Sequence, residues 1–103
     1  MITAEYAVEK TKLTVYLIGE VDHHGARQIR GNIDGMILKY SPKIVVINFK
    51  GVNFMDSSGI GLVLARQKFC RQTGASLYVE GVDRSHSRIL SLAGIKTIQS
   101  ISI

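Results

Sequence analysis

Lys43-Ile44-Val45-Val46-Ile47-Asn48-Phe49 stands between Pro42 and a polar stretch that leads to Asp56-Ser57-Ser58. A short run that is apolar at odd and even positions alike reads as a strand buried on both faces. Lys50 to Asp56 reads as a loop. From about Ser58 to Gln72 the apolar spacing turns helical, and Gly74 closes that helix in the left-handed conformation. A buried strand running through a loop into a helix is half of a β-α-β unit, and it sets the class as α/β.

The flanks extend the pattern. Ala26, Ile29, Ile33, Ile37 and Tyr40 fall three or four apart, which lines one face of a helix over His23 to Tyr40. Gly31 and Gly35 weaken that helix, and Ser41-Pro42 ends it, because proline disfavours helical geometry at the residue before it. Upstream, Ile2 to Val8 and Leu13 to Gly19 are rich in β-formers and flank the polar break Glu9-Lys10-Thr11-Lys12, which reads as an opening hairpin. Downstream, Ala75 to Val82 reads as a strand and Asp83 to Ala93 as a short helix, with Asp83 or Ser85 as cap and Gly94 as stop. Thr97 to Ile101 adds a last strand. The order β-β-α-β-α-β-α-β implies a mixed sheet with helices packed on it. With no linker or repeat, residues 1–103 read as a single domain.

Composition excludes several classes. Hydrophobic residues make up 46% of the 103, charged ones 20%, and there is one proline, which rules out a disordered or low-complexity chain. No apolar run nears the ~20 residues of a membrane span, and the N-terminus lacks the regions of a signal peptide, so a cytoplasmic location is expected. Cys70 is the only cysteine, which excludes an internal disulfide and a multi-cysteine zinc site and leaves core packing as its role. The net charge of +5 invites a nucleic-acid reading. The basic residues form no block, however, and no aromatics interleave with them as a stacking platform. The one local bias, Arg66, Lys68 and Arg71 with no acid between Ser57 and Val79, reads as a solvated face.

The chemistry-bearing stretch is Asn53-Phe54-Met55-Asp56-Ser57-Ser58-Gly59-Ile60-Gly61. It opens a helix beyond the carboxyl end of a strand, where sites gather in open α/β sheets. Free N–H groups and a partial positive charge at a helix start favour anions and leave a serine hydroxyl open to modification or contact. Asp56 and the serines also suit a plain N-cap, and Gly59 a close backbone approach. Gly59-Ile60-Gly61 lacks a third glycine at Leu64 and a following lysine, so it is neither a dinucleotide fingerprint nor a P-loop. The absence of a G-x-S-x-G elbow leaves Ser57 with His86 or His23 without a hydrolase setting, and no enzyme is expected. Along the helix, Ile60, Val63, Leu64 and Cys70 read as one stripe and Leu62, Ala65 and Phe69 as a second. The second stripe either packs on a neighbouring helix or is left for a partner, and Leu62 or Phe69 is expected at the edge of a docking surface. Asp22-His23-His24 is a second candidate: adjacent histidines on a helix point about 100° apart, which is no two-ligand metal face, and Asp22 suits a cap.

Met55-Asp56-Ser57-Ser58-Gly59-Ile60-Gly61, preceded by an apolar strand, resembles the signature of STAS domains that act as anti-sigma-factor antagonists. Leu17-Ile18-Gly19-Glu20-Val21-Asp22-His23-His24 is similar to a turn in the sporulation members of that family, and the two segments stand at the family's spacing. The resemblance implies a STAS-like fold and a partner-switching role. Such proteins bind an anti-sigma factor that is also a serine kinase, and so release the sigma factor. The kinase phosphorylates the serine after the aspartate, here Ser57, with Ser58 as the neighbouring alternative; a metal-dependent serine phosphatase reverses the step. ATP and magnesium belong to the kinase, so no cofactor or metal is implied for this chain. The implied partner surface comprises Asp22, His23, His24, Asp56, Ser58, Gly59, Ile60, Gly61 and Leu62, on a monomer when free, with no direct nucleic-acid or membrane contact. Asp56 is left as either a carboxylate that orients the hydroxyl or a turn residue. Family members commonly carry a further helix after the last strand, whereas this sequence stops at Ile103, and many are less basic. A scaffold role in a stress-response or transport assembly is the alternative.

Overall fold

A computed structural model describes residues 1–98. The strands are β1 (Ile2–Glu9), β2 (Lys12–Val21), β3 (Ile44–Met55), β4 (Ser76–Glu80) and β5 (Lys96–Ile98); the helices are α1 (His23–Tyr40), α2 (Ser57–Thr73) and α3 (Arg84–Leu92). This is the expected order. Of the last expected strand, residues 99–101 lie outside the described residues.

The sheet runs β1-β2-β3-β4-β5. The β1–β2 hairpin is antiparallel, and every later pair is parallel. Each helix therefore connects a strand to its next neighbour in one constant direction. Right-handed crossovers then put all three helices on the same face of the sheet. Leu13, Val15 and Leu17 of β2, Val45, Ile47 and Phe49 of β3, and Leu77 and Val79 of β4 point into the core they share with the helices. Ile29, Ile33 and Ile37 of α1 are buried there at the expected spacing. Ser41 ends α1 with φ 45°, its N–H bonded to the Ile37 carbonyl at 2.9 Å.

Three expectations need correction. Lys50–Met55 is strand rather than loop: β3 stays paired with β2 as far as Val21↔Met55, across two irregularities in register. Its pairing with β4 stops at Asn48↔Glu80, so the extension runs past the end of β4 and needs no apolar alternation. The fourth strand is also shorter than read, since it ends before Gly81, which has φ 74°.

The third correction concerns α2. Gly59, Leu62, Val63, Arg66 and Cys70 form a single buried face, as 100° per residue dictates. Leu62 is 5% exposed and belongs to the core rather than to the edge of an open surface, whereas Leu64, read as core, is 36% exposed. Arg66 is not solvated: its Nε lies 2.7 Å from Asp34 Oδ1 of α1. Cys70 is fully buried. Burial first, and then the Asp34 charge, push its thiol up to about 11 against the pull of Arg66, so it stays protonated and serves packing.

Asp83 caps α3, accepting from His86 N at 2.9 Å and Ser85 Oγ at 2.8 Å. The same carboxylate lies 2.6 Å from His86 Nδ1, so His86 is engaged rather than free on the surface. The His86 backbone bond chiefly, then the His86 ring and Ser85, hold the Asp83 carboxyl down at about 2. A depressed carboxylate contributes stability that is complete above its ordinary pKa near 4 and is lost as pH falls toward 2. Asp83→Ala is expected to cost about 1 kcal/mol at neutral pH, as caps do. The gap between variant and parent should narrow between pH 4 and pH 2 in urea titrations; a constant gap would mean the carboxylate's charge plays no part.

Candidate functional site

The register Val21↔Met55 brings the ends of β2 and β3 level. The next residue of each chain segment, Asp22 and Asp56, then starts a helix at the same edge of the sheet, with Asp56 N–H pointing to the Val21 carbonyl at 3.4 Å. Both aspartates are N-caps. Asp22 Oδ1 accepts from Gly25 N at 2.7 Å and Asp56 Oδ1 from Ser58 N at 2.8 Å. Each satisfies an N–H that the helix start would otherwise leave unpaired.

Two glycines let the helices start this close to the strands. A Cβ on Gly59 would collide with the Met55 side chain and touch Val21 Cγ1 at 3.4 Å. One on Gly25 would stand 2.6 Å from the Glu20 carbonyl oxygen and 3.2 Å from Asp22 Oδ1. Both glycines are buried, so they set how closely each helix start approaches its surroundings, Gly25 against the Glu20 backbone and Gly59 against the Met55 side chain, rather than offer a contact.

The side chains around this edge differ in access. Ser57 is exposed at the first position of α2, while Ser58 is half-buried beside it. Ile60 is half-buried and Gly61 exposed, with no atom within 4 Å of a Cβ built on it. His23 and His24 are exposed on the first turn of α1. Between α1 and α2 runs a groove of about 350 Å³, lined by His23, Ala26, Arg27, Arg30, Ser58, Gly61, Leu62, Ala65 and Arg66. The structure thus gathers both segments singled out from the sequence at one helix-start edge, with Leu62 contributing only from within. Of the groove's arginines, Arg66 was read as part of a solvated face, and Arg27 and Arg30 were not singled out. The three-residue step from Arg27 to Arg30 puts both on one side of α1 and was the available signal.

Chemically, the edge presents an accessible hydroxyl, two capping carboxylates and a positive helix end. The third histidine, His86, is held by Asp83. Among the described residues, no three His, Cys, Asp or Glu side chains cluster as a metal site would require. No helix among them is long and apolar enough to cross a membrane.

The sequence profile of the STAS domain matches residues 4–102. The chain belongs to the STAS domain family. It is 36% identical over 89 residues to the anti-sigma F factor antagonist of Paenibacillus polymyxa, covering 86% of this chain and 76% of that protein. It is 27% identical over 101 residues to the anti-sigma-B factor antagonist of Bacillus subtilis, covering 98% and 91%. The fold matches the unphosphorylated anti-sigma factor antagonist SpoIIAA with a TM-score of 0.79 at 27% identity, over 98% of this chain and 90% of that one. The phosphorylated form of SpoIIAA from Bacillus matches at 0.78 and 26%, over 99% and 93%.

The packing at the two helix starts makes opposite forecasts for two glycines of this STAS domain. Gly25→Ala must displace backbone, and overpacking of that kind costs about 1–3 kcal/mol. Gly61→Ala meets nothing, and an exposed helical glycine replaced by alanine gains roughly 0.5–1 kcal/mol. Thermal unfolding of the two variants checks both signs; equal effects would show that the strand-to-helix approach is loose.

Proposed function

We propose that this STAS domain is an anti-sigma-factor antagonist: it docks an anti-sigma factor that is also a serine kinase, frees the sigma factor, and is switched off by phosphorylation of Ser57. The carrying observation is the exposed Ser57 at the start of α2, flanked by the Asp22 and Asp56 turns that the Val21↔Met55 register brings to one edge. The similarity to two named anti-sigma antagonists supports the class of partner. Asp22, His23, His24, Asp56, Ser58, Ile60 and Gly61 form the docking surface, and Gly59 and Leu62 hold it in shape from beneath. Ser57 is favoured over Ser58 as the modified residue by access, since Ser58 is half-buried.

In this reading the chain is a substrate and binding module, not a catalyst. The kinase supplies the ATP, the magnesium and the base, and a metal-dependent phosphatase resets the switch. Asp56 has its Oδ1 committed to the Ser58 N–H, which favours the cap over a role in orienting the Ser57 hydroxyl. The free protein acts as a cytoplasmic monomer.

Phosphate adds about −1.5 to −2 charges at neutral pH. The positive end of α2 offsets part of that by roughly 0.3–1 kcal/mol, so the fold survives. SpoIIAA matches this fold about equally well in its unphosphorylated and phosphorylated forms. Against a partner surface fitted to the neutral serine, with two carboxylates already at the edge, the added charge opposes docking. A loss of about 2.7 kcal/mol weakens binding a hundredfold.

Incubation with ATP and the kinase-type anti-sigma factor, followed by mass spectrometry, should place phosphate on Ser57 and lose it in Ser57→Ala. Label confined to Ser58 would refute the assignment. Ser57→Asp should keep the native thermal unfolding profile and bind the kinase about tenfold to a hundredfold more weakly. Unchanged affinity would refute the electrostatic switch.

A further inference from the structure

The basic residues of this chain are not all spread on solvated faces. The groove between α1 and α2 is lined by Arg27, Arg30, Arg66 and His23, and by no acid. Its floor is small and apolar, with Ala26, Leu62 and Ala65. Positive charge gathered in a concave site with apolar walls produces a stronger field than the same charge on a convex surface.

Arg66 makes the case sharper. Its side chain is only 9% exposed, a depth at which a guanidinium normally has a complete set of partners. The 2.7 Å contact between its Nε and Asp34 Oδ1 is poorly aligned, and neither atom makes a hydrogen bond. Asp34 is itself an uneasy counter-ion: burial raises its carboxyl pKa, against the pull of Arg66 and Arg30. Arg27 and Arg30, both exposed, add two further guanidinium groups from the opposite wall. The groove thus holds more cation than the fold neutralises.

We infer that the α1–α2 groove receives an acidic segment of a protein partner, whose carboxylates pair with Arg27, Arg30 and Arg66 while its apolar side chains lie on Ala26 and Ala65, with Leu62 buried beneath them. Planar guanidinium groups suit carboxylates because both partners can form two parallel hydrogen bonds. A nucleic acid fits less well, since no Phe, Tyr or Trp lines the groove as a platform for bases to stack on. Ser58 and His23 stand in the groove lining, so an occupant is continuous with a partner docked at the start of α2. The inference rests on the docking reading above and extends it. The anti-sigma factor grips two places, and a phosphate at the α2 start competes with its carboxylates for the same guanidinium groups.

The test has a part that needs no anti-sigma factor. An acidic peptide of glutamate and leucine is titrated into the isotope-labelled full chain and followed by amide chemical shifts. Shifts should concentrate at Ala26, Arg27, Gly61 and Ala65, shrink as salt is raised, and be absent with a lysine and leucine peptide of equal length. The double variant Arg27→Glu, Arg30→Glu, altered only at exposed positions, should bind the acidic peptide roughly tenfold more weakly, each exposed ion pair being worth up to about fivefold. Shifts scattered over lysines and arginines elsewhere, or the same shifts with a DNA oligonucleotide, would overturn the inference. The second part repeats the comparison with the anti-sigma factor. Full affinity in the double variant overturns the groove while leaving the docking reading in place. Groove-localised peptide binding by a parent chain that fails to bind any anti-sigma factor supports the groove and removes the docking reading.

Discussion

The alignment of the β2 and β3 ends is the constraint on which this structure depends. At Tyr16↔Asn48 the two strands keep the register they share from Lys12↔Ile44 onward. Continued unbroken, that register would put Val21 opposite Asn53, two residues short of Met55. Irregularities between Tyr16 and Ile18 and between Gly19 and Glu20 each take up one extra residue of β3. Together they draw Asp56 back by about 7 Å, to the level of Asp22. Glycines make the bulges feasible. Gly19 has φ 108°, and a Cβ on Gly51 would stand 2.9 Å from the Leu17 carbonyl oxygen. Without this adjustment the two helix starts would be staggered, and the serine would stand apart from the Asp22 turn.

That origin explains what the sequence could and could not reveal. The α1 face was legible because Ile29, Ile33 and Ile37 repeat a single period and pack in a single direction. The caps were legible because an aspartate before a helix leaves few alternatives. The extension of β3 was not: Lys50, Asn53 and Phe54 are exposed and carry no alternation, and their strand character comes wholly from pairing with β2. The same holds for α2. Its apolar residues divide into two stripes on paper, but the face that packs takes Leu62 from one and Val63 and Cys70 from the other, and Arg66 joins that face opposite Asp34 of α1. A residue whose partner lies on another helix has no local signature, so a buried arginine reads as a solvated one.

The electrostatics of the site follow from the same geometry. Capping carboxylates sit at the strand ends and arginines sit between the helices, so the surface around α2 is divided by sign. Ser57 stands at the boundary. A phosphate there would lie at the positive helix end, which spares the fold, next to Ser58 of the groove lining. In the proposed switch such a modification would oppose docking while sparing the fold, with no second conformation required. The overall charge of +5 is then a poor guide to partners, because it averages over this division. The local pattern is an acidic rim at the two helix starts, a neutral hydroxyl at Ser57 and a basic groove between α1 and α2. Reversing the sign of any one of these by mutation or modification changes the match without changing the core that displays it.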